Sequence, residues 1–128
     1  MKPRSCWSVL VKKTKDEEET AQTAAAKARN KVLELQQSRH RMNELLQDYK
    51  KRAIESQAQV QTMSQTTNSR QFLLQLQSLV NRVDEDLMIA LRDLEQAKTV
   101  LIQATHQRMK METMQEKDLQ AVQTWQNK

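Results

Sequence analysis

FLLQLQSLVNRVDEDLMIALRDLEQAKTVLIQA, residues 72–104, decides the fold. Its apolar positions run Phe72, Leu76, Val80, Val83, Leu87, Ala90, Leu94, Ala97, Leu101, Ala104. The steps alternate between three and four residues, with one extra four-step at Val80. This is one apolar stripe on one side of a long helix. Asp84, Glu85, Asp86, Arg92, Asp93, Glu95 and Lys98 put charge on the other sides. Such a helix needs a partner for its stripe.

The first half of the chain supplies one. From Thr20 a second stripe runs Ala21, Ala25, Ala28, Val32, Leu35, Arg39, Met42, Leu46, Tyr49, Ala53. Its alanine-rich start lets a neighbouring helix approach closely. Arg39 interrupts it, with two readings open. Its stem packs while the guanidinium reaches water, or it is a buried charge that gives specificity.

Between the stripes, residues 56–70 turn polar, and a reversal is expected near Met63 to Ser69. Asn68, three residues before Gln71, can cap the second helix. A short connection makes the two helices antiparallel. The expectation is an all-α, elongated, antiparallel two-helix coiled-coil hairpin with both termini at one end. It forms a single domain over 1–128: helix one at about 5–58, a polar turn at about 59–70, helix two at about 71–124. Folding at about 64–66 pairs Tyr49 with Leu79 and Val32 with Ala97. Each arm of ~50 residues is then roughly 75 Å long.

Upstream, Trp7, Leu10 and Val11 share one helix face. Thr14, three residues before Glu17, has the pattern of a capping box at which a helix begins or restarts. Downstream, Met109, Met111, Met114, Leu119, Val122 and Trp125 continue an apolar side less regularly. The methionines serve either as packing or as an adaptable contact surface.

Composition agrees. The 128 residues include no Gly and one Pro, so a hairpin-rich sheet protein lacks its turn residues. Good helix formers dominate. With 38% hydrophobic residues, most of them small or flexible, the core is thin, and stability is expected to come partly from partners. Net charge is +5. Residues 1–64 carry the excess, and 65–128 are balanced. Lys50-Lys51-Arg52 with few aromatics makes a weak nucleic-acid signal, so no nucleic acid is expected. The lone Cys6 cannot make an internal disulfide. No apolar run approaches a membrane span, and the chain is expected to be cytoplasmic.

No catalytic constellation appears. His40 and His106 are isolated on different helices. Asp84, Glu85 and Asp86 point around their helix and do not converge on a metal. A phosphate loop of the glycine-rich kind cannot exist without Gly. No enzyme activity, cofactor or metal is expected. One signal remains: Leu45 beside Leu46, Leu73 and Leu74 beside Phe72, and Leu79 beside Val80 exceed what two helices can cover. This suggests a protein contact, a wider seam, or self-association.

Met42-Asn-Glu-Leu-Leu-Gln-Asp-Tyr49-Lys50, a polar loop, and Gln71-Phe72-Leu-Leu-Gln-Leu76-Gln-Ser-Leu79-Val80 resemble the FliJ family of flagellar export proteins. That family is related to the YscO-type stalk proteins of injectisomes. The resemblance covers nearly the whole chain. It implies a non-enzymatic stalk, like that of a rotary ATPase, which serves flagellum biogenesis and motility. The stalk couples the export ATPase FliI (with FliH) to the cytoplasmic domain of the export gate FlhA, and it handles export chaperones. It implies peripheral association with the cytoplasmic face of the inner membrane at the flagellar base. Carried over by position, the gate-facing residues are Met42, Leu45, Tyr49, Phe72, Leu76, Leu79 and Val83. Leu45 stands where an aromatic is often found. For the ATPase ring the residues are Trp7, Lys12, Lys13 and Lys15. The equivalent stalk of an injectisome, a generic homodimeric scaffold and a basic RNA-binding helix are the alternatives.

Overall fold

The computed structural model describes residues 5–57 and 63–127. They form two helices, α1 (Ser5–Gln57) and α2 (Met63–Gln126), packed as an antiparallel hairpin. Among the described residues no non-glycine residue has a positive φ and no peptide bond is cis.

The helices are continuous because little in the sequence stops them. Threonines, which often oppose helix, are accommodated by turning their hydroxyls back. Thr20, Thr23, Thr67, Thr99, Thr113 and Thr124 each donate to the carbonyl four residues earlier, at 2.9–3.1 Å. Thr14 behaves likewise. It does not cap a helix start but lies inside α1, buried, donating to Leu10 O (3.0 Å) and Val11 O (2.9 Å).

Residues 63–70, expected as part of the turn, are helical. Asn68 is therefore an interior residue and not a cap. Extending an existing helix adds one hydrogen bond per residue without a new nucleus, so neutral Ser, Thr, Gln and Asn follow the helix beyond them. The remainder of the expected turn, within 58–62, lies outside the described residues.

The chain divides into two compact units, each pairing a part of α1 with a part of α2. The turn-proximal unit holds the described residues of 30–92, and the terminal unit holds those of 1–29 with 93–128. In the turn-proximal unit, Val32 and Leu46 of α1 and Leu76, Val80, Leu87 and Ala90 of α2 are buried. Leu46, Leu76 and Val80 form an apolar cluster, with Met42, Tyr49 and Leu73 packed against it. In the terminal unit, Val11, Thr14, Ala21, Ala25, Leu94 and Val122 are buried.

The buried positions repeat in unbroken steps of three and four. On α1 the seam runs Trp7, Val11, Thr14, Glu18, Ala21, Ala25, Ala28, Val32, Leu35, Arg39, Met42, Leu46, Tyr49, Ala53. Apart from Arg39, every member is buried or half-buried. On α2 it runs from Leu73 through Leu76, Val80, Val83, Leu87, Ala90 and Leu94 to Val122. It is thus Leu73, half-buried, that opens the α2 seam, while Phe72 is 42% exposed beside it. This removes the extra four-step that a stripe starting at Phe72 requires. The result is the heptad of a coiled coil.

Register also differs from the expectation. Tyr49 meets Phe72, with ring centroids 4.5 Å apart and planes inclined by 53°. A fold at 64–66 would have paired it with Leu79, one heptad further on.

Candidate partner-binding surface

In an antiparallel pair, two flanks border the seam. Residues just before each first heptad position of both helices line one side, and residues just after each fourth position line the other. Beside the Leu46–Leu76–Val80 cluster these flanks differ. Leu45 and Arg52 of α1 and Phe72 and Leu79 of α2 share the first. Asn43 and Lys50 with Gln77 and Asp84 share the second. The first flank is therefore apolar with one cation, and the second is polar.

Leu45, Phe72 and Leu79 are 45%, 42% and 47% exposed. The half-buried Tyr49 ring rests on Phe72, and the Arg52 guanidinium lies 5.6 Å from the Tyr49 ring centre. That distance suits a cation–π contact, which holds the charge at the rim of the apolar flank. A groove of about 440 Å³ opens there, lined by Tyr49, Arg52, Ala53, Asn68, Ser69, Phe72 and Leu73. Phe72 and Tyr49 present wide, rigid surfaces of the kind that anchors protein contacts.

The other residues that the resemblance assigns to the gate lie in the seam. Leu76 is 5% exposed and belongs to the apolar cluster. Met42 and Val83 are half-buried. These three support the surface from behind, and Leu45, Phe72 and Leu79 form its exposed part. The polar flank carries an ion pair: Arg39 Nε lies 2.7 Å from Asp84 Oδ1. Arg39 thus has its stem at the seam and its charge against a carboxylate of the other helix, half-exposed.

The residues named for the ATPase ring lie on several faces of the terminal unit. Trp7 is a half-buried seam residue whose Nε1 is buried without a hydrogen-bond partner among the described residues. Lys12 and Lys13 are exposed on the outer side of α1, in a shallow groove with Val9, Asp16, Glu17 and Thr20. Lys15 turns to the flank, where its Nζ lies 3.8 Å from Glu112 Oε1.

Reading the stripes by their apolar residues missed the charged heart of the terminal unit. Glu18 and Arg108 both occupy seam positions. Arg108 donates from Nε to Glu18 Oε2 and from a terminal nitrogen to Glu112 Oε2, each at 2.9 Å. The two members of the central pair keep 14% and 24% of their side-chain exposure. The Arg108 hydrogen bond, joined by one from the Thr105 hydroxyl, holds the Glu18 carboxyl below its ordinary pKa. Glu18 and Glu112 in turn raise that of Arg108. The signal was available: carrying the heptad count through polar letters lands on Thr14, Glu18 and Arg108.

Among the described residues no group of His, Cys, Asp or Glu could hold a metal ion, and no helix is long and apolar enough to cross a membrane. A family model described as Flagellar FliJ protein matches residues 7–128. Searches of curated proteins and of solved structures each return no match.

Proposed function

The chain belongs to the FliJ family of flagellar type III export components, and from that premise we propose that it is a non-enzymatic coupling stalk. Its turn-proximal unit meets the cytoplasmic domain of the export gate FlhA. Its terminal unit meets the export ATPase FliI with FliH. Export chaperones are further clients. The stalk works at the cytoplasmic face of the inner membrane and reaches the membrane only through the gate.

The observation that carries this reading is the exposed Leu45–Phe72–Leu79 flank with Tyr49 and Arg52 at its edge. Leaving three large side chains nearly half in water stabilises nothing within the hairpin. Covering them with a partner gains roughly 25 cal/mol for each Å² of apolar surface removed from water.

The test is binding of purified FlhA cytoplasmic domain to the chain, measured by calorimetry. Phe72→Ala with Leu79→Ala is expected to weaken binding at least about tenfold, as for anchors of an interface. Phe72→Ala also removes the Tyr49 ring contact and lowers the melting midpoint, so binding is compared at a temperature where circular dichroism shows both proteins fully folded. Undiminished binding by this double variant would remove the gate assignment from this flank. Light scattering on the free chain addresses the alternative use of the same flank: a stable homodimer at micromolar concentration would favour a self-associating scaffold.

A further inference from the structure

An unbroken heptad seam has a built-in ambiguity. Sliding α2 past α1 by seven residues replaces most apolar layers with other apolar layers. The stripes alone illustrate this, because they also accommodate Tyr49 against Leu79, one heptad from the Phe72 that it meets.

The charged layers do not repeat. In the terminal unit Arg108 faces Glu18. One heptad slip would put Glu18 against Gln115 and Arg108 against Ala25. The opposite slip would put Glu18 against Leu101 and Arg108 against Val11. In the turn-proximal unit, Arg39 faces Asp84, and a slip would give it Leu91 or Gln77. Every slipped alignment therefore parts Glu18 from Arg108, which keeps only Glu112 of its own helix, and parts Arg39 from Asp84; the lost cross-helix pairing is costly wherever water is partly excluded.

We propose that Glu18–Arg108 and Arg39–Asp84 are register locks: they select one alignment among those that the apolar seam permits. Each unit carries its own lock. Replacing them with apolar residues would leave a helical hairpin with a smeared alignment.

Paired cysteines test this, in a Cys6→Ser background and with a short bismaleimide in dilute protein. Tyr49→Cys with Phe72→Cys reports the native register of the turn-proximal unit, and Tyr49→Cys with Leu79→Cys reports the slip. In the terminal unit, where Gln115 Nε2 lies 3.4 Å from Ser8 Oγ, Ser8→Cys pairs natively with Gln115→Cys and, when slipped, with Val122→Cys. With the locks intact, the native adducts should dominate. In the variant Glu18→Leu, Arg108→Leu, Arg39→Leu, Asp84→Asn, the ratio of native to slipped adduct should fall about tenfold or more, with helicity retained. A wild-type ratio in this variant would overturn the proposal. The second variant keeps Glu18→Leu and Arg108→Leu but exchanges the other pair as Arg39→Asp with Asp84→Arg. Complementary charge should restore the native adducts of the turn-proximal unit. If this unit slips as freely as in the four-site neutral variant, charge pairing is not the determinant and the lock is refuted.

Discussion

Leu45 and Leu46 are adjacent and chemically identical, yet one is 45% exposed and the other 4%. A helix turns about 100° per residue, so neighbours in sequence face different surroundings. Leu46→Ala should therefore cost about 2 kcal/mol in urea-unfolding stability, the low end for a buried leucine because the seam is only two helices thick. Leu45→Ala should cost well under 1 kcal/mol, as exposed substitutions do. At the same scale, Glu18 makes stability depend on pH. Its carboxyl is held below its ordinary pKa by Arg108, so the folded state binds that proton less readily than the unfolded chain. The stabilisation is complete above the ordinary carboxylate value and disappears as pH falls through the lowered, folded-state value. Melting curves of wild type and Glu18→Gln should differ at neutral pH and converge in acid. A constant difference across that range would mean that the ion pair contributes nothing to it. The contrast between Leu45 and Leu46 was legible from apolar spacing, but the charged pair was not, because Glu18 and Arg108 look like surface residues until the heptad phase is carried through them.

At the scale of the element, the two long helices and their facing stripes could be read directly from spacing. Ala21, Ala25, Val32, Leu46, Leu76, Val80, Leu87 and Leu94 are buried as their periodicity requires. The start of α2 was not legible. Residues 63–70 have turn-like composition, and only the helix that follows them makes them helical. The consequence is measurable. Asn68→Pro would be harmless in a turn, but inside α2 it removes the hydrogen bond to residue 64 and crowds that carbonyl. Up to about 3 kcal/mol is at stake. Helical circular dichroism and the unfolding midpoint should both drop, and an unchanged spectrum would return this stretch to the turn. Phe72 shows a related limit. Reading it as a seam residue required an irregular step, and that irregularity was itself the sign that Leu73 was the seam residue.

At the scale of the whole molecule, the candidate surface was only partly visible in advance. An excess of Leu45, Phe72 and Leu79 over what one neighbouring helix can cover was apparent from composition and spacing. Their gathering on one flank, with Arg52 held over Tyr49 at its rim, depends on register, which the apolar pattern does not settle. The same dependence links sequence distance to assembly. Tyr49 and Phe72 are separated by a short stretch of chain, whereas the Ser8–Gln115 contact joins residues 107 apart. Closing a loop grows more costly with its length, so the chain should zip from the turn outward. The Leu46–Leu76–Val80 cluster then becomes the folding nucleus, and the contacts of the chain ends form last. Val80→Ala should chiefly slow refolding, whereas Val122→Ala should chiefly speed unfolding, as read from the two arms of a chevron plot. If the two variants shift the same arm, the helices do not close in that order. A hairpin with this kinetic polarity opens first at the ends of the chain, so brief opening there need not disturb the Tyr49–Phe72 pair.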